Sequence, residues 1–98
     1  MRLTESEIKA FKTSIEKFTQ NYKLYLHGSR IDDSKLGGDI DLFLILPDEI
    51  YQEIALKKHY ILANIKMLIG DQNIDLSILS ESKSQTDFFF SESEKVQL

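Results

Sequence analysis

The run Asp39-Ile40-Asp41-Leu42-Phe43-Leu44-Ile45-Leu46 constrains the fold more than any other stretch of this chain. Side chains alternate along a strand, so Ile40, Leu42, Leu44 and Leu46 share one face while Asp39 and Asp41 share the other. Pro47 ends the run, because it cannot supply a ladder N–H. The segment thus predicts a strand over 39–46 with an apolar face and two carboxylates opposite it. The same parity holds over 73–79: Ile74, Leu76 and Ile78 take one face, Asp75 and Ser77 the other. Adjacent strands lie roughly 4.8 Å apart. If both apolar faces meet the same helical layer, the carboxylates of Asp39, Asp41 and Asp75 converge on the open surface of the sheet.

The remaining pattern supplies that helical layer. Thr4 and Glu7 have capping-box spacing, and Ile8, Phe11, Ile15 and Phe18 recur at helical intervals, which predicts a helix over 4–20. Residues 23–27 read as a short strand entering Gly28-Ser29, and 30–38 as a polar loop or brief helical turn ending in Gly37-Gly38. Ile50, Ile54, Ile61, Ile65 and Leu68 keep one face of a second helix apolar over 49–69, with Gly70 as its stop. Residues 80–84 read as a connector, and 85–96 as a short final helix. The order α-β-loop-β-α-β-α predicts one α/β (α+β) domain over 1–98, with a small mixed sheet and helices packed mainly on one face.

Bulk properties narrow the possibilities. A chain of 98 residues, 42% hydrophobic and 29% charged, has the composition of one globular domain. Its net charge of -4 argues against a duplex-DNA binder. The absence of cysteine excludes disulfides, thiolate zinc sites and cysteine nucleophiles. No apolar run approaches membrane-spanning length and the start of the chain has no apolar signal core, so the expected location is cytoplasmic.

Three converging carboxylates repel one another unless a cation sits among them. Mg²⁺ prefers oxygen ligands and is held by a few carboxylates plus substrate phosphates; Mn²⁺ is an alternative. In two-metal sites the ions lie about 3.5–4 Å apart and clamp both the attacking and the leaving oxygen. On this chemistry Asp39 and Asp41 bridge the metals and grip a triphosphate, while Asp75 binds nearer the attacking hydroxyl and accepts its proton. Taken singly, each aspartate reads more readily as a solvated strand or turn residue, and the specificity comes from the combination with what lies upstream. Upstream, Gly28 allows close backbone approach to a phosphate, Ser29 offers a hydroxyl, and Arg30 offers either a bidentate phosphate contact or a surface charge.

Gly28-Ser29, nine intervening residues, and Asp39-Ile40-Asp41 form a far more specific pattern than any of these alone. Together with Asp75 on a later strand, the pattern resembles the signature of the DNA polymerase beta-like nucleotidyltransferase superfamily, and within it the minimal nucleotidyltransferases. The likeness spans about residues 22–80. It departs from the group in a loop one residue shorter than usual and in Asp33, where a glycine is common. The resemblance implies transfer of a nucleoside monophosphate, AMP from ATP, to a hydroxyl. It also implies a partner that supplies this hydroxyl, since members of this group resemble antitoxins paired with helical HEPN-type ribonuclease toxins. Two alternatives are a binding module that neutralises such a toxin by contact, and a transferase acting on a small molecule such as an antibiotic. Homo- or hetero-oligomers fit each of these.

Weaker signals have two readings each. His27 reads more readily as a strand residue than as a nucleotide contact. Asp32 and Asp33 read as loop-solvating residues. His59, among Lys57, Lys58 and Tyr60, reads as part of a solvated face rather than a substrate contact. Phe88-Phe89-Phe90 cannot all face one small core from a helix, so the segment is either a core seal with a spare aromatic or a docking patch.

Overall fold

The computed structural model describes residues 3–31 and 39–98, apart from the side chain of Ser29. Of the polar loop or brief helical turn expected over 30–38, residues 32–38, with Asp32, Asp33 and Gly37-Gly38, lie outside the described residues.

Helix α1 (Glu5–Glu16) starts on the expected capping box: the Thr4 N–H donates to Glu7 Oε1 at 2.9 Å, and the Glu7 N–H donates to Thr4 Oγ1 at 3.1 Å. It ends earlier than its apolar spacing suggests, and Phe18 continues only as a turn on the carbonyl of Ile15. Strands β1 (Lys23–His27) and β2 (Ile40–Leu46) pair antiparallel. The single helix expected over 49–69 is two helices, α2 (Asp48–Ala55) and α3 (Lys58–Ile69), which meet at Leu56-Lys57. No proline or glycine marks that break. One straight rod of this length would run about 30 Å. The bend instead lets α2 pack beside the sheet and α3 lie along α1. Asn64 of α3 donates to Ser14 Oγ of α1 at 2.8 Å, which satisfies a fully buried hydroxyl.

Strand β3 (Ile74–Ser80) then pairs parallel with β2. The segment expected to be a connector followed by one helix is instead α4 (Glu81–Thr86), α5 (Phe88–Glu92) and a strand, β4 (Lys95–Gln97), which pairs antiparallel with β1. The sheet order is β3-β2-β1-β4, a four-stranded mixed sheet.

Phe11, Ile15, Leu24, Leu26, Ile40, Leu42, Leu44, Leu46, Ile54, Ile61, Ile65 and Leu76 form one core between the sheet and the layer of α1, α2 and α3. The parity predicted for β2 and β3 is thereby realised. The opposite face carries the aspartates, with Asp39 and Asp75 exposed and Asp41 half-buried, but it is only partly open. It carries Phe43 and Ile45, 2% and 4% exposed, and these need their own cover. α4 and α5 provide it. α4 is pinned by the Ser82 N–H donating to Asp48 Oδ1 at 3.0 Å and by Ser82 Oγ donating to Asp48 Oδ2. Phe90 of α5 sits edge-on to Phe43 at 5.0 Å and to Tyr25 at 5.4 Å.

Candidate active site

Strand register builds the site. Asp41 stands directly opposite Asp75 on β3 and opposite His27 on β1, and His27 in turn stands opposite Lys95 on β4. Residues directly opposite one another share a face. Lys95, His27, Asp41 and Asp75 thus form a row across all four strands, on the face away from the main core. Asp39 leads into β2 with the parity of Asp41 and is exposed. The Ile40 N–H donates to Asn73 O at 3.0 Å and locks the entry of β2 to that of β3, where Asp75 follows.

Gly28 begins a single 3-10 turn, Gly28–Ile31, immediately after β1. Its φ of +84° is left-handed, a conformation glycine adopts without steric cost. The missing side chain also makes room: a β-carbon on Gly28 would meet Asp41 Oδ2 at 2.5 Å. The turn at Gly28 and the carboxylate of Asp41 are therefore one structural unit. Arg30 follows on the same turn and is half-buried. The side chain of Ser29 lies outside the described part.

Electrostatics agree with this crowding. Burial pushes the Asp41 carboxyl above its ordinary range; His27 draws it down, and the carboxylates of Asp75 and Asp39 push it further up. Burial likewise lowers the His27 imidazole, against the pull of Asp41 and Asp75 and with the push of Lys95. A cation between the aspartates would relieve the repulsion that Asp41 feels, and an oxygen-only trio is the donor set hard divalent ions prefer. Among the described residues no three carboxylates or imidazoles are already drawn together as closely as ligands of one ion.

Around the row lies an aromatic wall. The His27 ring stacks on Phe43 at 4.0 Å and 18°, and Phe89 meets both edge-on, at 5.8 Å from His27 and 5.6 Å from Phe43. Lys95 Nζ donates to Phe90 O at 2.7 Å and lies 4.5 Å from the Phe90 ring centre. It ties the end of α5 to β4. His27 is a strand residue, as its sequence context suggests, and it stands in the row between Asp41 and Lys95. Lys95 gives no sequence signal, because a three-residue strand carries too little pattern to be read. Phe43 on the aspartate face is the signal that points to α5, since a buried aromatic there demands a cover and only the 88–90 run is rich enough to give one. His59 is exposed and packs on exposed Tyr60, as a solvated face.

No family model matches the sequence, and no curated protein is significantly similar to it. The fold does have solved counterparts. One crystal structure, of a presumed nucleotidyltransferase, superposes with a TM-score of 0.63 over 95% of this chain and 98% of that one, at 23% identity. Another, a presumed nucleotidyltransferase from Sulfolobus solfataricus, superposes with a TM-score of 0.53 over 99% of this chain and 89% of that one, at 20% identity. The chain thus has the fold of these proteins, a small α+β unit with a four-stranded mixed sheet. Among the described residues no helix is long and apolar enough to cross a membrane.

Proposed function

We propose that the chain is a metal-dependent nucleotidyltransferase that moves a nucleoside monophosphate, AMP from ATP, to a hydroxyl. The observation that carries this is the placement of Asp41: in register with Asp75, with its Oδ2 over the bare α-carbon of Gly28. Such a unit brings a triphosphate on the Gly28-Ser29-Arg30 turn next to paired carboxylates. Asp39, Asp41 and Asp75 are the residues that would hold Mg²⁺ or Mn²⁺, and the ion supplies neutralisation of phosphate charge. In the reaction the acceptor oxygen bonds to the α-phosphorus, the bond from that phosphorus to the bridging oxygen breaks, and pyrophosphate leaves. The Asp75 carboxylate takes the hydroxyl proton. Positioning and electrostatics dominate such transfers, so a scaffold of this size suffices for the donor half.

The acceptor, on this proposal, belongs to a partner protein, a HEPN-type helical toxin for which the chain is the antitoxin, acting in the cytoplasm. The resemblance of the Gly28–Asp41 segment suggests it. Leu56, Tyr60 and Met67, which are 73%, 57% and 83% exposed on the helical side away from the aspartates, suit contact with a protein partner there. They equally suit neutralisation by contact alone. Incubation with α-labelled ATP, Mg²⁺ and a co-expressed helical partner tests both. Label should reach the partner and be lost on combining Asp39→Ala with Asp41→Ala. Label that survives that change sinks the catalytic proposal, and a double variant that still silences the partner favours contact.

A further inference from the structure

We infer that Phe89 is the nucleobase platform of this site, and that α5 exists on the aspartate face to present it. Phe89 is 62% exposed, although its ring is fixed from behind by edge contacts to His27 and Phe43. An exposed aromatic held by two other rings costs little further order when a flat ligand stacks on it. His27, which it touches, is the register neighbour of Asp41. Phe89 is therefore one side chain removed from the carboxylates, on the same face of the sheet, which suits a base whose phosphates lie at Gly28 and Asp41.

The support behind the ring is built rather than incidental. Asp87 accepts from the Phe90 N–H at 2.8 Å and caps the start of α5. Lys95 Nζ donates to the Phe90 and Ser93 carbonyls, at 2.7 and 3.3 Å, and secures its end. Phe90 is the anchor, packed on Tyr25 and Phe43, while Phe89 faces outward beside the row. Phe88 is 78% exposed and makes no ring contact with His27 or Phe43. The ligand class that fits is a purine or pyrimidine, because every base has a π-face and stacking tolerates them all.

The inference rests on the nucleotide-binding proposal above, and the ligands of the test separate the two. Calorimetric titration with Mg²⁺-ATP and with Mg²⁺-tripolyphosphate, which has no base, is run on the wild type and on Phe89→Leu, Phe89→Tyr and Phe88→Ala. Leucine keeps the apolar cover over His27 without a ring, so the fold is retained. Phe89→Leu should weaken ATP binding by roughly 5- to 150-fold, the range of one base–aromatic stack. Tripolyphosphate binding should stay within about twofold, since that ligand has no base to stack. Phe89→Tyr should restore ATP binding, and Phe88→Ala should leave both ligands unchanged. If Phe89→Leu binds ATP like the wild type, or loses ATP and tripolyphosphate equally, Phe89 is not the platform. If the wild type binds neither ligand, the nucleotidyltransferase proposal fails and takes this inference with it.

Discussion

The carboxylate of Asp41 occupies the space a side chain on residue 28 would need: Oδ2 lies 2.5 Å from where a β-carbon of Gly28 would stand. Two separate demands therefore fall on that glycine, a φ of +84° and an unobstructed approach for Asp41. Gly28→Ala should lower stability by about 1–3 kcal/mol from backbone strain alone. In a domain of this size, each kcal/mol corresponds to roughly 4–8 °C of melting temperature. Displacement of Asp41 by even about 1 Å should cost on the order of 100-fold in label transfer. Circular dichroism melting and the transfer assay, run on the same preparation, check both. An alanine variant with wild-type melting and transfer would show that the turn and the carboxylate are independent.

Asp41 and Asp75 face each other in register, and Asp75 and Asp39 add to the burial that raises the Asp41 carboxyl. Like charges directly opposite on neighbouring strands cost roughly 0.2–1 kcal/mol. Asp75→Asn should therefore stabilise the chelator-treated protein by that amount, and should abolish the rise in melting temperature that the metal-site proposal predicts for the wild type with Mg²⁺ or Mn²⁺. A gain in stability joined to a loss of metal response marks a site kept for function. A destabilised Asn variant, or one that responds fully to metal, would mean Asp75 is an ordinary strand residue.

The pairing of these carboxylates is legible in the amino-acid sequence because period-2 alternation in β2 and β3 is a strong signal, and fixing the apolar face of each strand fixes the other. Gly28 is legible for the same reason: it follows a readable strand. The break at Leu56-Lys57 is not, since the spacing from Ile54 to Ile61 is also that of one continuous helix and only packing on α1 separates the two. β4 is hidden by its length, and the fourth member of the row, Lys95, goes with it. Phe43 and Ile45 hold the signal most easily passed over. Their parity puts them with the aspartates, so a second cover is required, and α4 and α5 supply it.

Phe43 is the hub of that second cover, in ring contact with His27, Phe89 and Phe90. Phe43→Ala should destabilise by about 3–5 kcal/mol, as expected for removing a buried ring that leaves a cavity. The loss should be local as well as global: amide hydrogens of α5 should exchange faster in the variant than those of α1 and α3, which pack on the other face. Equal acceleration everywhere would mean α5 is not held by this cluster.

His27 is 8% exposed, and burial, the largest influence on it, lowers its pKa below the ordinary 6.5; Lys95 acts in the same direction, while Asp41 and Asp75 oppose. The folded state therefore favours neutral imidazole, and the unfolded chain binds more protons just below pH 6.5. By linkage, stability must fall as pH drops from 6.5 towards the lowered folded value, and level off beneath it. Asp41 works with the opposite sign: its raised carboxyl makes the folded state gain stability as pH falls through the raised value towards 3.8. Subtracting a His27→Phe variant isolates the first contribution, since phenylalanine keeps the stack on Phe43 without titrating. In chelator, the wild type should lose melting temperature relative to His27→Phe as pH falls below the ordinary histidine value of 6.5, the side of the histidine range that linkage assigns to it. Parallel curves for the two proteins below that value would show that the imidazole titrates in the row as it does in the unfolded chain.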